Sequence, residues 1–84
     1  MIFLVDYDRS GGVLLALRTY ADDQASAAAS DRLELELDLA RRNISREVVL
    51  LQAANEADLR RTHRRYFANI EELTKASSPS RPED

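Results

Sequence analysis

The sequence predicts a small α+β fold of order ββαβα, a three-stranded mixed or antiparallel sheet packed with two helices, and three observations predict it. Two apolar runs, Ile2 to Tyr7 and Val13 to Tyr20, flank the only two glycines, Gly11 and Gly12, beside Ser10. A long stretch rich in Ala, Leu, Glu and Arg follows, with no β-branched residue between Thr19 and Ile44. A short apolar run, Val48-Val49-Leu50-Leu51, then precedes a second amphipathic stretch that opens at Asn55.

Each element has its own reason. β-Branched, aromatic and Leu residues around a glycine pair mark a hairpin. Thr19 or Asp22 can cap the helix that runs to about Arg42, and Arg41, Arg42 and Asn43 suit its C-terminus. Leu33, Leu35, Leu37 and Leu39 alternate with acids, the period of a half-buried strand, but the strong helix formers around them and the absence of a turn signal favour helix. Glu47 to Ala53 is too short for a helix and apolar on both faces, as in a central strand. Asn55, with Asp58 three residues on, begins a second helix that continues to about Lys75. Residues 1–75 form one domain with expected strand order 2-1-3, and 76–84, rich in Ser and Pro, read as a flexible tail.

Composition bounds the function. At 84 residues, 44% apolar and 32% charged, with a net charge of −3, the chain has the balance of a soluble domain. It has no cysteine, which suits a reducing compartment, and its apolar start lacks the basic lead and length of a signal peptide. A cytoplasmic location is expected, with no membrane span. Residues 21–47 hold seven acids against four bases, whereas Arg60, Arg61, Arg64 and Arg65 make one short basic face. A mildly acidic chain with so small a basic stretch is a poor candidate for non-specific nucleic-acid binding, though that face is where such binding would sit.

Surplus apolar surface is the main functional signal. On a helix turning 100° per residue, Ala29, Leu33, Leu37 and Ala40 form one stripe and Ala21, Ala28, Leu35 and Leu39 another, with Arg32 and Glu36 between them. Either the sheet and second helix cover both stripes, or Leu35 and Leu39 meet another subunit. The strands are likewise apolar on both faces. Either the second helix crosses to the far face or a partner covers it. A first helix of about 21 residues, roughly 30 Å long, would overhang strands of about 23 Å. Surplus surface and overhang favour a homodimer. In the second helix Leu59, His63, Tyr66, Ile70 and Leu73 share a stripe with Phe67 beside them, making His63 and Tyr66 further interaction candidates. His63 is read as a partly buried core histidine or a pH-sensitive contact.

Ile2-Phe3-Leu4-Val5-Asp6-Tyr7-Asp8-Arg9-Ser10 resembles the first motif of haloacid-dehalogenase-type phosphatases, an apolar strand ending in Asp-x-Asp, in which one carboxylate is the nucleophile and the other the acid. That family also needs a much longer α/β domain with a lysine, and the sole lysine here, Lys75, lies near the tail. The same residues begin like a calcium loop, but the twelfth position is Leu17 where a bidentate Glu is required. Both stretches therefore read as polar residues entering a hairpin. One histidine and no cysteine make no ordinary zinc site, and no cofactor or metal is expected. The leading expectation is a small non-catalytic interaction or regulatory module, a homodimer or the binder of a small protein. A nucleic-acid-associated protein, and an enzyme with an intersubunit pocket around His63, Tyr66 and Asp6, are the alternatives.

Overall fold

The computed structural model describes residues 1–68. Strands β1 (Ile2–Asp8) and β2 (Val13–Tyr20) form the hairpin, α1 (Ala25–Arg41) follows a 3-10 turn, and β3 (Glu47–Gln52) precedes α2 (Glu56–Thr62) and a second 3-10 turn at Arg64–Tyr66. The sheet has the expected order β2-β1-β3 and, of the mixed and antiparallel alternatives, is wholly antiparallel.

Local chemistry sets the turns. Asp8 Oδ1 accepts hydrogen bonds from the backbone and hydroxyl of Ser10, and Gly12, at φ +67°, donates its N–H to the Asp8 carbonyl at 2.8 Å. Glycine, without a Cβ, takes that left-handed backbone at least cost. The register slips between Asp6 and Tyr7, which leaves Leu15 as a bulge in β2. The cap of α1 differs from expectation: Thr19 lies inside β2, and the Gln24 side chain instead accepts from the Ala21 N–H at 2.9 Å. At the other end Asn43, at φ 58°, donates to Ala40 while Ile44 donates to Leu39, a Schellman closure. Asn55 caps α2 by accepting from the Asp58 N–H at 2.8 Å.

The two-sided strands find two covers. On one side α1 packs Ala28 and Leu39, with Leu35, against Ile2, Leu4, Tyr20 and Val48. On the other, Leu59, Tyr66 and Phe67 pack against Phe3, Val5 and Tyr7. The second helix therefore crosses to the far face, giving three layers within one copy, so the sheet faces alone do not require a partner. α1 is shorter than expected, 17 residues and about 26 Å, against about 23 Å for β1.

The expected long second helix is also corrected. α2 stops at Thr62, and His63 takes φ −125°, ψ 55°. The Thr62 hydroxyl bonds back to the Asp58 carbonyl, at 2.9 Å, and the Leu59 carbonyl, a local alternative to helix continuation. The break lets two adjacent aromatic residues, Tyr66 and Phe67, both turn into the sheet at 5% and 0% exposure. Ile70, Leu73, the expected helix end at Lys75 and the tail at 76–84 lie outside the described residues.

Candidate functional site

The arginine cluster is the place to begin, because its sequence suggests the most. Asp58 and Glu56, in the first turn of α2, sit one turn before the residues they neutralise. Arg60 donates to Glu56 at 2.7 Å and Arg61 to Asp58 at 2.7 Å. Arg60 also lies over the Phe67 ring, 4.7 Å from its centroid. Arg65 reaches Glu47 on β3 at 2.5 Å and stacks over Tyr66 at 4.3 Å. Arg64 has no acidic partner among the described residues. The basic face is thus three-quarters committed to carboxylates.

Glu47 is the hub that sequence reasoning missed. Being opposite Tyr7 in the ladder, it points to the α2 side, where its Oε2 accepts from both the Tyr66 hydroxyl and Arg65. Those donors hold its carboxyl below the ordinary range, Tyr66 contributing most. Tyr66 in turn is raised, by burial first and then by its bond to Glu47. Tyr7 meets Tyr66 edge-on at 5.1 Å. The only forewarning in sequence is parity: Glu47 shares its sheet face with Val49 and Leu51.

Asp6 points to the opposite, α1 side. It is 6% exposed, with Arg46 Nε 3.3 Å from its Oδ1, yet neither atom is aligned for a hydrogen bond. Burial raises the Asp6 pKa, against the pull of Arg46. Since the sheet separates Asp6 from Tyr66 and His63, these three do not meet in one copy. His63 itself is half-buried at the end of α2, its Nδ1 3.0 Å from the Thr62 hydroxyl and its ring stacked on Tyr66 at 6.5 Å, not in the middle of a helical stripe. Among the described residues no group of three or more His, Asp and Glu side chains converges as a metal site would require, and no helix is long and apolar enough to cross a membrane.

The structure also decides between the two stripes of α1. The Tyr20 hydroxyl donates to Asp31 at 2.8 Å and Arg18 pairs with the same carboxylate, which turns the Asp31 flank toward β2. Leu35 and Leu39 consequently face the sheet, Leu39 at 4% exposure and Leu35 partly buried. The outward stripe is the other one, with Leu33 at 57% and Leu37 at 49% exposure. Arg32 and Glu36 pair across one turn at 3.6 Å, and Arg32 Nε is buried without a hydrogen-bond partner. Between α1 and β3 a shallow cavity of about 270 Å³ is lined by Ile2, Ala25, Leu50, Leu51 and Gln52. Comparison with protein-family models, with curated proteins and with solved structures finds no match for this chain.

Proposed function

We propose that this chain is a small, non-catalytic interaction module that works as a homodimer in the cytoplasm. The observation that carries the reading is the outward ridge of α1, where Leu33 and Leu37 stand one turn apart at 57% and 49% exposure. Burying a leucine side chain fully is worth about 1.5–3 kcal/mol, so a ridge of two on each copy is a substantial drive to associate. An acidic chain with few free cations supports a protein partner over a nucleic acid. Three of the four candidate arginines already hold carboxylates, which leaves little basic charge to displace counterions. Asp6 and the His63–Tyr66 pair lie on opposite sides of the sheet, so an enzyme reading would need these groups to meet from two copies, which favours the non-catalytic one.

Sedimentation velocity of the purified chain, with and without Leu33→Glu and Leu37→Glu together, tests the reading. A wild-type dimer that becomes monomeric in the double variant, with unchanged far-UV circular dichroism, is expected. A wild-type chain that stays monomeric across micromolar concentrations overturns it.

A further inference from the structure

The edge strand β3 carries more information than its length suggests. At its end Ala53 donates to the Met1 carbonyl at 3.1 Å, and the Met1 amine donates back to Ala53 at 2.9 Å, so these two residues exchange both bonds. Exchange alternates along an antiparallel ladder. With the observed register, Leu51, Val49 and Glu47 spend their backbone groups on Phe3, Val5 and Tyr7. Val48, Leu50 and Gln52 therefore turn their N–H and C=O groups away from β1, toward an edge with no further strand among the described residues.

That edge lacks the usual protection. β2, the other edge, bears the Leu15 bulge and the charge of Arg18, whereas β3 has no proline, lysine or bulge between Val48 and Leu51 and is apolar on both faces. The phase of the open groups is also self-complementary. About a two-fold axis through Leu50, normal to the sheet, Leu50 opposes its own copy and Val48 opposes Gln52 of the second copy. Each opposed pair then exchanges two bonds, and no open group is left over. Glu47 comes opposite Ala53, so no like charges face one another.

The helices agree with this placement. α1 packs on β1 and β3, and with strands about 4.8 Å apart such a dyad sets the two α1 axes about 10 Å apart, an ordinary helix-packing distance. The flank facing β3 includes Ala25, which lines the cavity beside Leu50 and Gln52, and Glu36 with Ala40, beside Val48. Leu50 lies between Val48 and Gln52 on the strand, so the dyad falls within the length of that flank. Running antiparallel, the two helices bring their β3-facing flanks, with Ala25, Glu36 and Ala40, against one another.

We propose that the occupant of this edge is a second copy of the chain, pairing β3 with β3 about Leu50 into one continuous sheet. The inference rests on the homodimer reading and names its site. Amide hydrogen exchange of the wild-type dimer is the direct test: Val48, Leu50 and Gln52 should be protected as well as Val49 and Leu51, and should lose that protection on dilution. Gln52→Pro removes an outward donor while leaving every bond to β1 intact, and Leu50→Lys adds charge at the dyad. Each should weaken the dimer more than about tenfold without changing the circular dichroism. A dimer in which only Val49 and Leu51 are protected, and which both variants leave intact, overturns the edge pairing while the homodimer stands. A monomeric wild type overturns both.

Discussion

The two faces of the sheet solve one problem differently. Each binds a strand carboxylate to an arginine, Asp6 to Arg46 under α1 and Glu47 to Arg65 under α2, yet the two acids shift in opposite directions. Asp6 is buried with an ion pair that is close but poorly aligned, so the loss of water dominates and its pKa rises. Glu47 keeps 17% of its side chain exposed and accepts a tyrosine hydroxyl as well as a guanidinium, so hydrogen bonds dominate and its pKa falls. Proximity of charge does not settle a carboxylate's state; aligned donors and residual solvent do. Packing differs in parallel. The α1 face is mainly aliphatic, whereas the α2 face is aromatic and ends in Phe67, wholly buried.

Breaking the aromatic face should have the largest effect. Phe67→Ala removes a fully buried ring at the end of the described chain and uncovers Phe3 and Val5, at a cost of about 3–5 kcal/mol. Against the roughly 5–15 kcal/mol of a typical small domain, that leaves the fold marginal, as urea unfolding would show. A loss below about 1 kcal/mol would mean that α2 and its following turn are a loose cover, and the aromatic face would lose its claim to be the stronger.

The aliphatic face is best broken through its ion pair. Arg46→Met strands the Asp6 carboxylate, and the expected loss is about 2–3 kcal/mol, below the cost for a wholly buried pair because the two side chains keep 19% and 9% of their surfaces in water. The sign of the pH dependence is then informative. A carboxyl raised above its ordinary 3.8 favours the folded state when protonated, so its cost is absent at low pH and grows as pH rises through the elevated value. The variant should accordingly regain stability on acidification. Asp6→Leu combined with Arg46→Met should match or exceed the wild type. A double variant weaker than the single one would show that the pair is a net stabiliser after all.

How much of this was legible in the sequence depends on the range of the interaction. The glycine hairpin, the Asn43 closure, the Asn55 cap and the strand order all follow from residues near one another or from simple alternation. The choice between Leu35/Leu39 and Leu33/Leu37 does not. Periodicity places the four on two stripes, but the contact from Tyr20 to Asp31, across 11 positions, decides which stripe meets the sheet. The partner of Arg65 is likewise 18 positions away. The break at His63 escaped because the Leu59, His63, Tyr66 spacing fits a continuous helix, while burial of both Tyr66 and Phe67 demands a change of direction.

The smallest effect should come from sharpening the contrast at Glu47. Tyr66→Phe deletes the hydroxyl that contributes most to the low Glu47 pKa but keeps the ring against Tyr7, so the loss should be about 1–2 kcal/mol near neutral pH. The linkage has the opposite sign to that of Asp6. A carboxyl held below its ordinary 4.5 stabilises the fold above that value, and the contribution disappears as pH falls through the lowered one. Tyr66→Phe should move the Glu47 titration, followed by carboxyl NMR shifts, upward and make the variant's deficit shrink in acid. If the Glu47 pKa does not move, Arg65 alone holds the carboxylate. The difference between the two faces would then lie in solvent exposure rather than in the added hydroxyl.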